Sequence, residues 1–123
     1  MEAQLALWAP ELGWLQPVRR PESRPEATLE ERWRAFHEAN PYVLDAIRAL
    51  AWQLKDAGRT RGSMALIFER LRWEYAIRAR DPARTDEFAL NNSYRAFYAR
   101  LLNQEPGLEG FFEVREQRAK GVS

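Results

Sequence analysis

From residue 28 onward, apolar residues recur mostly at helical spacing, interrupted by short polar stretches. Thr28-Leu29-Glu30-Glu31 fits a capping box, in which the Thr hydroxyl meets a free backbone N–H and Glu31 reaches back to the cap. The helix it opens runs to about Ala39, with Leu29, Trp33 and Phe36 on one side. Asn40-Pro41 ends that helix and starts the next, because Asn is a good N-cap and Pro is tolerated at the first helical position. The second helix extends to about Ala57 through Val43, Leu44, Ile47, Leu50, Ala51 and Leu54, and Gly58 stops it. Ser63 caps a third helix, whose Met64, Ile67, Phe68, Leu71 and Tyr75 follow an amphipathic course. Asp81 to Asp86 read as a loop and Phe88-Ala89-Leu90 as a short extended piece. Asn91, Asn92 or Ser93 then caps a fourth helix, with Tyr94, Phe97, Tyr98, Leu101 and Leu102 inward and Arg95, Ala96, Ala99, Arg100 and Asn103 outward. Glu105-Pro106-Gly107 ends it. Leu108 to about Arg118 reads as a last helix, with a strand through Phe111, Phe112 and Val114 as the alternative. The pattern predicts an all-α fold, a compact bundle of about five helices.

Residues 1–27 are different. Pro10, Pro17, Pro21 and Pro25 prevent a continuous helix, so the segment reads as an extended, Pro-rich N-terminal arm before a helical domain over 28–118 and a short tail over 119–123. Leu5, Leu7, Trp8, Leu12, Trp14 and Leu15 make the arm apolar, and it is expected to dock on its own domain or on a partner. Gln4-Leu5-Ala6-Leu7-Trp8 resembles the Gln-Leu-x-Leu-Phe peptide by which bacterial and phage proteins attach to the replication sliding clamp, with Trp8 where Phe is usual. That resemblance makes Gln4, Leu5, Leu7 and Trp8 the candidate protein-binding residues.

The overall charge of +1 conceals segregation. Residues 55–100 carry ten basic and six acidic side chains, while 1–54 carry six and eight and 101–123 three and four. A basic centre of this kind suits nucleic acid, although an Arg-rich solvated helix face produces the same count. The chain has no Cys, which excludes disulfides and thiolate metal sites. With no bilayer-length apolar run and no signal-peptide pattern at the start, the expected location is the cytoplasm.

Catalytic chemistry is poorly supplied. His37 is the sole histidine and suits the C-terminal turn of its helix, no Gly-rich phosphate loop occurs, and Asp81, Asp86 and Glu87 form a loop cluster of the kind that is usually solvated. No enzyme activity, cofactor or metal site is expected. DNA binding is better supplied: the third and fourth helices can act as the supporting and recognition helices of a helix-turn-helix or winged-helix-like device. Asn91 and Asn92 stand where amides read adenine, and Arg95 lies one turn in. Arg59, Arg61, Arg84 and Arg100 are candidates for phosphate contacts. Against this, the Arg80–Leu90 connection is longer than a simple turn and no clear wing is visible. The Asn pair can serve only as caps, and Arg95 and Arg100 can pair with Glu87 or Glu105.

The segments FHEANPYVLDAIRALAWQLKDAGR, IFERLRWEYA, LNNSYRAFYARLL and GLEGFFEVR together resemble a family of small bacteriophage and prophage proteins over roughly residues 33–116. The resemblance implies a phage-associated setting inside a bacterial host. Within it, the leading expectation is non-enzymatic DNA binding in gene regulation or replication. The alternative is a protein-interaction module that binds a host replication or transcription protein, such as the sliding clamp, through the N-terminal arm.

Overall fold

A computed structural model describes residues 21–78 and 90–114, with side chains of the first span described to residue 76. The described chain is helical: α1 (Leu29–Ala39), α2 (Pro41–Asp56), α3 (Met64–Arg78) and a short α4 (Arg95–Leu102) entered through a 3-10 turn at Asn92–Tyr94. Among the described residues there is no strand, only an isolated parallel bridge between Gly62 and Phe112. Most of the arm (1–20), the α3–α4 connection (79–89) and the C-terminal stretch (115–123) lie outside the described residues. So does the connection on which a helix-turn-helix or winged-helix arrangement depends.

Local chemistry sets the helix ends. The Thr28 hydroxyl accepts from the Glu31 N–H at 3.1 Å, and the Glu31 carboxylate accepts from the Thr28 N–H at 3.0 Å, completing the capping box. Ser63 Oγ accepts from the Leu66 N–H at 3.1 Å at the start of α3. After α2, the Arg59 N–H reaches Leu54 O at 3.1 Å and the Gly58 N–H reaches Lys55 O at 2.9 Å. This is the two-bond Schellman ending, made at Gly58 with φ of 99°.

Asn40 corrects the sequence reading. Its side chain makes no cap bond to α2; the residue is fully buried, Nδ2 donates to Phe36 O at 2.9 Å, and Oδ1 accepts from the Tyr42 hydroxyl at 3.1 Å. It closes the end of α1 instead. A buried amide must find partners, and here it takes a freed carbonyl of α1 and the Tyr42 hydroxyl.

The core is aromatic and centres on Tyr98 of α4, which is fully buried. Its ring meets Trp33 edge-on at 5.5 Å and His37 at 6.0 Å, both on α1, and Phe68 of α3 at 6.2 Å. Phe36 and Tyr94 pair alongside at 5.3 Å. Val43, Ile47, Leu50 and Ala51 supply the α2 wall, and Met64, Ile67, Phe68, Leu71 and Tyr75 the inward face of α3. On α4, Ala99, placed outside by periodicity, is buried, whereas Phe97 and Leu101 are half-buried. A helix of two turns wedged between neighbours presents a wider apolar arc than one lying on a surface.

No helix forms over the described part of the last element, 108–114, where a fifth was expected. Gly107 and Gly110 have positive φ of 90° and 70°, which breaks helical continuity. Asn103 then grips the chain: Nδ2 donates to Phe112 O at 2.8 Å and Oδ1 accepts from the Phe112 N–H at 3.0 Å. That clamp places the buried Phe111 and Phe112 rings against the α2–α3 connector, where the Gly62 N–H donates to Phe111 O at 2.9 Å. A Cβ on Gly62 would overlap the Phe111 ring and lie 2.8 Å from Phe112 Cε1. On the opposite side, Arg48 of α2 holds Glu105 with two bonds, at 2.8 and 2.7 Å, and also donates to Asp45 at 2.8 Å.

Two consequences can be measured. Asn103→Ala leaves both Phe112 backbone groups without their partner and should cost about 2 kcal/mol in denaturant unfolding, with Gly62→Ala in the same range through overpacking. A variant of either kind with unchanged stability would show that the C-terminal turn does not hold the connector.

The second consequence is acid sensitivity. Hydrogen bonds from Arg48 hold the Glu105 carboxyl below its usual value of 4.5, so its contribution is complete above that pH and is lost as pH falls through the lower folded value. Burial lowers the His37 imidazole below 6.5 despite Glu38 and Asp45 nearby. The folded state therefore favours neutral His37, and stability declines as pH falls below 6.5. Unfolding curves from neutral pH into acid should lose the upper decline in His37→Gln and part of the lower one in Glu105→Gln.

Candidate nucleic-acid interface

The candidate residues at the start of α4 are held by local hydrogen bonds. Leu90 is buried, and Asn91 follows in extended conformation, its Oδ1 accepting from the Ser93 N–H at 2.8 Å. The Tyr94 N–H closes the turn on Asn91 O at 2.9 Å. Asn91 is thus the cap, as its residue type favours. Asn92 does something else: its Oδ1 accepts from Arg72 of α3 at 2.6 Å. Both are exposed, yet each amide oxygen already serves an internal donor. Bidentate reading of adenine needs that oxygen as well as the amide N–H, so base contacts there compete with the fold.

Arg72 is the residue that sequence reasoning missed. One guanidinium nitrogen donates to both Leu90 O, at 2.7 Å, and Asn92 Oδ1, while the other meets Glu69 at 2.9 Å. The plane lies over the Phe68 ring at 5.8 Å. A half-buried arginine with three acceptors and an aromatic beneath it joins α3 to the chain entering α4. Only the Glu69 partner, three residues away on the same helix, was visible as a sequence spacing.

Elsewhere the arginines divide by whether an acid neutralises them. Arg61 pairs with Glu113 at 3.3 Å, with both side chains exposed. Arg24, Arg34, Arg48, Arg70 and Arg72 also sit in ion pairs. Arg32, Arg59, Arg95 and Arg100 enter none among the described residues, Arg32 donating instead to Ala27 O at 2.9 Å. Arg59 is exposed in the connector; Arg95 is exposed, with Nε donating to Asn92 O at 3.1 Å. Arg100 is half-buried over the Phe97 ring at 5.6 Å, beside a cleft of about 440 Å³ between α1 and α4. Of the two acids considered as its partners, Glu105 belongs to Arg48, and Glu87 lies outside the described residues.

The candidates therefore fall into three groups: Arg59 and Arg61 in the connector, Asn91, Asn92 and Arg95 at the entry to α4, and Arg100 in the α1–α4 cleft. Arg84 lies outside the described residues, as do Gln4, Leu5, Leu7 and Trp8 of the clamp-like peptide and the acids Asp81, Asp86 and Glu87.

Among the described residues, no three His, Cys, Asp or Glu side chains gather as metal ligands, and no helix is long and apolar enough to cross a membrane. The chain matches no protein-family model, no curated protein and no solved structure.

Arg72→Ala should destabilise the protein by about 2 kcal/mol, because it removes charge-assisted bonds and leaves the Leu90 carbonyl without its donor. Arg72→Lys should recover little of this, since an ammonium cannot span the same acceptors with a planar fork. Equal stability of the Lys variant and the parent would contradict this role.

Proposed function

We propose that this chain is a non-enzymatic DNA-binding protein acting in phage or prophage gene regulation or replication, gripping the phosphate backbone more than reading bases. The observation that carries the reading is that the candidate cations Arg59, Arg95 and Arg100 enter no described ion pair, a property they share with Arg32, whose guanidinium is held by the Ala27 carbonyl. Unpaired guanidinium groups keep their full attraction for phosphate, and Arg61 can exchange an exposed carboxylate for one at small cost. Asn91 and Asn92 then act by shaping the entry to α4, which positions Arg95. The phage setting is supported by the resemblance over residues 33–116.

A second reading rests on the arm. Its Gln4-Leu5-Ala6-Leu7-Trp8 peptide suits a host replication or transcription protein, the sliding clamp in particular, that takes an extended segment with apolar side chains.

Titration of a labelled duplex at several salt concentrations tests the main reading. Affinity should fall steeply with salt, and Arg59→Ala with Arg95→Ala should lower the log–log slope by about 0.9 for each phosphate left without its arginine. Absence of binding to duplex or single strand at low salt would refute it. Retention on immobilised clamp, abolished by Leu7→Ala with Trp8→Ala, would establish the second.

A further inference from the structure

The described surface leaves two large hydrophobic side chains well exposed, Leu66 at 56% and Trp73 at 65%, and both border one groove between α2 and α3. The groove encloses about 570 Å³ and is floored by Leu50, Leu54, Ala57 and Ile67. Through Leu54 and Leu66 it continues into a second cleft, of about 410 Å³, lined by Arg59 and Arg61. Glu69 and Arg70 also border the groove, and at its end Arg61 pairs with exposed Glu113 while Arg59 has no described acid, so an apolar occupant bearing a carboxylate fits it.

The chain carries such a segment. Before Arg19 there is no Lys or Arg, while Glu2 and Glu11 are acidic. Trp8, Leu12 and Trp14 make residues 8–14 apolar, and Glu11 adds the acid. Reach is sufficient. Extended chain covers about 3.3 Å per residue, so Trp14 can lie roughly 20 Å and Trp8 roughly 40 Å from Pro21. A folded unit of this size has a radius of gyration of only about 12 Å.

We propose that residues 8–14 of the chain dock in cis along the α2–α3 groove, seating Trp8, Leu12 and Trp14 against Leu54, Leu66 and Trp73, with the acidic segment drawn toward Arg59 and Arg61. A tethered segment needs no second molecule and has a high effective concentration at the groove. Docking also holds the neighbouring Gln4–Trp8 peptide against the domain and places carboxylates beside Arg59. The docked state stands whether or not the chain binds DNA or a clamp, although it occupies Trp8 and Arg59, which those readings also use.

Because the chain has no Cys, a nitroxide on Ala9→Cys in the full-length protein is a unique probe. It should erase the methyl NMR signals of Leu54 and Leu66 and weaken those of Val43, at the far end of α2, much less. Trp73→Glu should restore the erased signals, and so should Trp8→Glu with Trp14→Glu, which leaves the described helical domain intact. Signals that survive in the labelled chain, or an erasure that persists in both sets of variants, would overturn the proposal. So would a mixture of spin-labelled and isotope-labelled chains in which the isotope-labelled copy loses the same signals, since that would place a second copy in the groove.

Discussion

The position of α4 depends on the burial of one ring. Eight residues make too few intrahelical hydrogen bonds to offset the cost of nucleation, so α4 exists where tertiary contacts require it. Tyr98 supplies the central contact, touching Trp33 and His37 from α1 and Phe68 from α3. Burial of a ring this size contributes on the order of 2–3 kcal/mol, and burial pushes its phenol well above the usual range, so it stays neutral. Three helices thereby meet on a residue whose charge state does not change at physiological pH.

Around that wedge, three polar ties fix what apolar packing leaves loose. Arg72 secures the entry to α4, Asn103 secures the chain leaving it, and Arg48 holds Glu105 just beyond its C-terminus. Hydrophobic contact is non-directional and would tolerate rotation of so short a helix; planar groups with two or three hydrogen-bond partners do not. The same ties determine which cations are engaged internally. Arg48 and Arg72 belong to the fold, whereas Arg59 and Arg95 remain at the surface without a described carboxylate. Arg59 and Arg95 are thus among the cations left at the surface after the architecture has taken its share of the arginines.

Much of the fold was legible along the chain. The three long helices, the Thr28 capping box, the Gly58 ending, the Ser63 cap and the inward face of α3 all rest on interactions within a few residues. Asn40 misled because its residue type suits either side of a helix junction, and burial decided which side it serves. The last element misled because Phe111 and Phe112 promise burial without specifying a backbone, and the specification comes from Asn103 several residues away. For the candidate site, the arginines were found by charge count, while the engagement of Asn92 by Arg72, twenty residues earlier, had no local signature.

By itself, then, the sequence determined the helical class, the Thr28 and Ser63 caps and the inward faces of the three long helices, because each depends on propensity and spacing within about one or two turns. Tertiary structure decided the fate of individual polar side chains: Asn40 on α1, Asn103 on Phe112, Asn92 on Arg72, and Arg48 on Glu105. It also decided that Leu66 and Trp73 face a groove instead of the core. The reason is physical: a polar group taken from water must find a partner wherever the fold brings one, and that partner's place in the sequence has no bearing on the bond.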